Sequence, residues 1–137
     1  SGAALGWNLE LQKKGRLLAP ASEWVGAFLQ NVVFASNDIL KKDPDAVRGF
    51  LKGWLEGVAY MGSHKDETIA YARSKDHFAE EVEQKQYTNV MPSFSKDGTF
   101  PPDAVAPVKA SFVDLGILAT EPDMSQYMTE RFLPGRK

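Results

Sequence analysis

Two histidines, an acidic run and three tryptophans are the side chains of this 137-residue chain whose types could do chemistry. A zinc-type centre needs three or four convergent ligands. Neither His64 nor His77 has a ligand partner at helical spacing, and the chain has no cysteine to complete a set. No metal site is expected, and both histidines read as surface residues. Glu80, Glu81 and Glu83 lie nearly consecutively, and consecutive residues on a helix do not face one another. A shared carboxylate site is therefore not expected, and the run reads as a solvated face. The chain contains neither a glycine-rich phosphate loop nor a nucleophile elbow, so no catalytic residue and no cofactor are assigned. Trp54 belongs to an apolar stripe and reads as core. Trp7, between Gly6 and Asn8, and Trp24, in PASEWVGAFLQN, sit beside flexible and amide residues. These two are the candidates for the wall of a ligand pocket.

The elements that must position these residues read as mostly helical. Asp43-Pro44 is a strong helix start, because the carboxylate accepts from free amides and proline suits the first helical position. From there Val47, Phe50, Leu51, Trp54, Leu55, Val58 and Met61 recur at three- and four-residue steps and define one face. Gly49, Gly53 and Gly57 recur every fourth residue in the same helix, each at a cost of about 1 kcal/mol relative to alanine. That cost suggests a second backbone packing close to this side. Ser63 with Asp66 reads as a capping box opening a helix over 64–74. Asp76 reads as the cap of another over 77–90, which Pro92 ends. Asp97-Gly98 reads as a turn, and Pro101-Pro102 opens a helix over 103–115 with Gly116 as its stop. A last short helix is expected over 124–131. Residues 3–15 fit no clear period. Residues 16–19 (RLLA) and, more clearly, 31–35 (NVVFA) read as short strands, the latter from its β-branched and aromatic run.

Composition bounds the possibilities further. The net charge of −2 offers no basic face for a nucleic acid. No stretch is long and apolar enough to span a membrane, and no basic n-region followed by an apolar run marks a leader. The length suits one domain, and no linker or repeat divides it.

At residues 31–58 the run NVVFASNDILKKDPDAVRGFLKGWLEGV resembles the strand–turn–helix of solute-binding proteins of the nitrate/sulfonate/taurine type, a group that includes thiamine-pyrimidine binders. The helix-start pattern of that family falls on Pro44, Asp45, Val47 and Phe50. Further on, YTNVMPSFSKDGTFPPDAV and SFVDLGILATEPDMSQYMTERFLP continue the series, through Phe112, Leu115, Gly116 and Ile117 to a terminal RFLP. The resemblance implies an α/β fold of the periplasmic-binding-protein-like class, type II. This chain would be the mainly helical C-terminal part, with one or two short strands. Residues 1–137 are read as a single domain or fragment of that two-lobed fold.

The implied role is the extracytoplasmic binding component of an ABC importer, with a periplasmic or other extracytoplasmic location. Its partners would be a small anionic or heterocyclic solute, bound by the complete protein, and the transporter permease. By position in the family, Trp7 and Asn8 correspond to a cleft-facing segment, and Trp24, Gln30 and Asn31 to the segment leading back across the hinge. An amide side chain there would hydrogen-bond an anionic head group or a pyrimidine edge. The thiamine-pyrimidine branch also includes synthases, but the reactive Lys and His they require have no counterparts that can be placed here. The alternative is a self-associating helical module in which the Trp54 stripe and the glycine row meet a second copy.

Overall fold

The computed structural model describes residues 2–20 and 23–136, and all regular structure among them is helical. The order is α1 (Gly2–Leu11), α2 (Asn37–Lys42), α3 (Pro44–Ser63), α4 (Lys65–Asp76), α5 (Glu80–Val90) and α6 (Pro102–Asp114), with 3-10 turns at Met91–Ser93 and Met124–Gln126. The chain forms two compact units, Ser1–Pro20 with Leu55–Lys96, and Ala21–Trp54 with Asp97–Lys137. The division falls inside α3, between Trp54 and Leu55.

The starts of α2 and α3 follow from their caps. Ser36 Oγ accepts from the Ile39 amide at 3.3 Å, and Asp43 Oδ1 accepts from the Ala46 amide at 3.0 Å. Pro44 then opens α3 without needing an amide partner of its own. The next two expected caps are displaced. Ser63 is the last residue of α3, and its hydroxyl donates back to the Ala59 and Tyr60 carbonyls rather than forward into α4. His64 takes the cap position with no side-chain bond. Asp76 is likewise the last residue of α4, and the chain breaks at His77, held at φ 59° in the left-handed region. The tail segment 124–131 forms only a single 3-10 turn, capped by Asp123 through the Ser125 amide.

Residues 16–19 and 31–35 are not strands. A strand is stable only when a neighbour takes its amides and carbonyls, and neither segment has one among the described residues. The Leu17 amide donates to Glu10 Oε1 at 3.3 Å instead. Val32, Val33 and Phe34 are exposed, Phe34 to 91%. The run 31–35 is β-like in composition, but among the described residues it lacks the pairing that would turn it into a sheet.

In the first unit, α5 packs on α1 and α4. Its core holds Ala4, Val58, Ile69 and Val82. The Tyr87 hydroxyl donates to the Met61 carbonyl at 2.8 Å, fixing α5 to the end of α3. Arg73 Nη1 meets Glu80 Oε2 at 2.8 Å across the α4–α5 connection.

The second unit is centred on Ala104, Phe132 and Leu133. Two guanidinium groups approach the Phe132 ring, Arg131 at 4.7 Å and Arg48 at 5.4 Å from its centroid. Arg48 Nη1 donates to the carbonyls of Arg131 (2.9 Å) and Arg136 (3.3 Å), tying the tail to α3. Glu130 accepts from the Phe100 amide at 2.9 Å and pairs with Arg136 at 3.0 Å.

On α3 only Val58 is buried; Val47, Leu51, Leu55 and Met61 are half-buried. Phe50 and Trp54, expected in the core, are exposed and stack on each other at 6.3 Å between centroids. The α3 glycines do not mark a close backbone approach, because a Cβ added at Gly49, Gly53 or Gly57 would meet nothing within 4 Å.

Gly98 is a true conformational requirement. Its φ is 79°, and an added Cβ would lie 2.6 Å from Leu133 Cδ2. Gly98→Ala is expected to lower stability by about 1–2 kcal/mol through left-handed strain and displacement of Leu133. Urea unfolding monitored by circular dichroism checks this, with Gly116→Ala as a comparison that carries backbone strain (φ 68°) but no crowding.

Candidate functional site

Trp7 and Asn8 lie on α1 in the first unit, whereas Trp24, Gln30 and Asn31 lie in irregular chain of the second. Trp7 lines a small hollow with Glu10, Leu11, Glu81, Val82 and Lys85. Its volume is about 90 Å³, well below the ~300–1,000 Å³ usual for organic ligands. Lys85 Nζ stands 3.8 Å from Glu10 Oε2 across it, so one cation and two carboxylates border the space. Asn8 Oδ1 accepts from Gln12 Nε2 at 3.4 Å along the helix surface. Trp24 is 74% exposed, and Gln30 and Asn31 are also exposed.

The histidines serve the backbone. His64 Nδ1 lies 2.9 Å from Ser63 Oγ and 3.1 Å from the Tyr60 carbonyl, and its ring stacks on Tyr60 at 3.9 Å. The Ser63 hydroxyl also lies within bonding distance of the Ala59 and Tyr60 carbonyls. The Tyr60 hydroxyl donates to Glu67, and that bond pushes the phenol above its ordinary value. His77 forms the left-handed end of α4, its amide donating to the Arg73 carbonyl at 3.0 Å. Among the described residues, no group of three or more His, Cys, Asp or Glu is placed to hold a metal ion.

The acidic run departs from a fully solvated face at one position. Glu80 and Glu81 are exposed, but Glu83 is 1% exposed. Its Oε2 accepts from Gln86 Nε2 at 3.3 Å, whereas Oε1 has no hydrogen-bond partner among the described residues. Burial, reinforced by the charge of Asp76, raises its pKa. A helical signal was available in the sequence: Val82, Glu83, Gln86, Tyr87 and Val90 share one stripe of α5, so Glu83 lies on the packed side.

Residues 5–68 match the family model described as NMT1/THI5 like. The match covers just under half of the chain, from within α1 into α4, and takes in all five of the candidate ligand-binding residues. The RFLP tail and the other motifs beyond residue 68 lie outside it. No curated protein and no solved structure gives a significant match to the chain. The family consists of solute-binding proteins of the periplasmic-binding-protein type II fold, typically extracytoplasmic and generally non-catalytic, although THI5 relatives are enzymes. No helix among the described residues is long and apolar enough to cross a membrane.

The raised Glu83 pKa fixes a sign. The folded chain holds this proton more tightly than the unfolded chain does. The associated stability is complete below the ordinary carboxylate value of 4.5 and is lost as pH rises through the elevated folded value. Glu83→Gln, which keeps the shape without the charge, is expected to be more stable than the parent by about 1 kcal/mol at pH 7 and close to it near pH 4. Thermal unfolding of both proteins across that range is the check; a difference independent of pH would contradict the assignment. From α1 into α4, residues 5–68 are thus similar to the NMT1/THI5-like family model.

Proposed function

We propose that this chain is the C-terminal part of the extracytoplasmic solute-binding component of an ABC importer, taking a small anionic or heterocyclic solute. The family match over residues 5–68 is the observation that carries this reading. The state of residues 24–34 supports it. Trp24, Val25, Phe28, Val32, Val33 and Phe34 are all exposed, and Trp24 reaches 74% and Phe34 91%. A strand-like apolar segment with no strand beside it suits a larger fold in which further chain pairs with it. In that fold, ligand binds between two lobes, and closure presents the liganded form to the permease. Trp7 and Trp24 would supply aromatic walls, and Asn8, Gln30 and Asn31 polar partners.

A second reading rests on α3. Phe50 and Trp54 form an exposed stacked pair, and the glycine row beside them is open. An apolar patch of this kind is also what a self-associating helix presents.

Two measurements separate the readings. In the complete protein encoded by the upstream and present reading frame, Trp7→Ala and Asn31→Ala are each expected to weaken taurine or nitrate binding at least about tenfold by calorimetry. Unchanged affinity would remove these residues from the site. Light scattering of the present chain addresses the second reading. Self-association predicts a dimer mass that Trp54→Ala returns to monomer, and a clean monomer at high concentration counts against it.

A further inference from the structure

Glu83 is a buried ionisable side chain that the solute-binding reading leaves unused. It lies on α5, the helix packed against both α1 and α4, at 1% exposure. Its Oε2 accepts from Gln86 Nε2 at 3.3 Å, whereas Oε1 has no hydrogen-bond partner among the described residues. With its proton on, such a carboxyl is tolerated in a core. Ionised, it is a buried charge with an unsatisfied acceptor, and the cost falls only if water reaches it. Burial is the first cause that raises its pKa, and Asp76 at the end of α4 adds to the rise. The positive charge at the amino terminus and Arg73 of α4 oppose it, but Arg73 is itself paired with Glu80. The turn Met91–Ser93, which also packs on α5, has no charged residue.

The neighbours of α5 are not held equally. Toward α3, the Tyr87 hydroxyl donates to the Met61 carbonyl at 2.8 Å. Toward α4, Glu80 pairs with Arg73 at 2.8 Å. Toward α1, the pair Lys85–Glu10 is 3.8 Å long and partly exposed, and a pair of that kind is worth little. Packing on this side is also incomplete. The hollow of about 90 Å³ is lined by Trp7, Glu10 and Leu11 of α1 and by Glu81, Val82 and Lys85 of α5. Releasing α1 is therefore the least costly way to hydrate Glu83.

We propose that Glu83 is a proton-operated latch: protonated, it lets α1 pack on α5, and ionised, it releases α1 and displaces Trp7 and Asn8. The packed chain holds the proton more tightly than the open one, so the latch is closed below the ordinary carboxylate value of 4.5. Between that value and the raised folded one, the open form gains about tenfold per pH unit and then levels off. The release of α1 concerns the first unit alone. Its effect on solute rests on the reading of Trp7 and Asn8 as solute contacts.

Amide hydrogen exchange of the isotope-labelled 137-residue chain reads the latch, with each rate divided by that of an unstructured chain at the same pH. From pH 4 to pH 8, protection at the Trp7 and Asn8 amides is expected to fall at least about tenfold, while that at Tyr87 and Thr88 of α5 holds. Glu83→Gln should keep α1 protected throughout. Asp76→Asn, a change at an exposed residue, removes a like charge and should move the midpoint to lower pH. Protection at Trp7 and Asn8 independent of pH, a fall that persists in Glu83→Gln, a fall shared equally by α5, or an unmoved midpoint in Asp76→Asn would each overturn the latch. In the complete protein, taurine affinity is expected to decline over the same range in the parent and to stay level in Glu83→Gln. Constant parent affinity while α1 opens would overturn the link to solute and remove Trp7 and Asn8 from the site.

Discussion

The bond from the Ala46 amide to Asp43 Oδ1, 3.0 Å long, starts the helix to which both units are tied. Without that cap and the proline that follows, the first turn of α3 would have free amides and a loosely set entry. With it, α3 runs for 20 residues. Its first half presents Arg48, which holds the tail through two carbonyls. Its second half presents Val58 to the core of the first unit, and the carbonyls of Met61 and Gly62 accept from Tyr87. One helix therefore supplies structural groups to each unit, and its start is fixed by residues adjacent in sequence.

What α3 does not do is bury its whole apolar stripe. Phe50 and Trp54 stack on each other in solvent, and residues 24–34 expose a second set of large apolar side chains. Against these, the buried apolar residues are few: Ala4, Val58, Ile69, Val82, Ala104, Phe132 and Leu133. Burying one large side chain is worth roughly 1.5–3 kcal/mol, so the uncovered residues represent stabilisation that further chain or a second copy would supply. Glu83, the one buried ionisable side chain among the described residues, acts in the opposite direction, with one oxygen that has no hydrogen-bond partner among them.

The sequence was most legible where local chemistry decides the outcome. Asp43 and Pro44 start their helix as their types dictate, Gly98 and Gly116 adopt the positive φ expected at their turns, and α6 begins at Pro102. It was less legible where competing partners decide. Ser63 and Asp76 have the right types for caps but lie on the preceding helix, where Ser63 bonds backward. Trp54 has core periodicity but is 47% exposed and stacks on Phe50, because periodicity sets which residues share a face and not what covers that face. NVVFA has strand composition without a pairing partner, and pairing is not a property of the segment itself. For the site, Trp7 borders a hollow, but the chain spreads the five candidate residues over two units. Arg48 gave no signal at all in sequence, since its role depends on carbonyls 83 and 88 residues away.

Under the function proposed above, residues 31–35 would pair as a strand within a larger solute-binding fold. Amide hydrogen exchange at Val32, Val33 and Phe34 tests it most directly, measured in the present chain and in the complete protein. The account predicts fast exchange in the chain alone, where these residues are exposed and irregular, and strong protection in the complete protein. Fast exchange at these amides in both would contradict it.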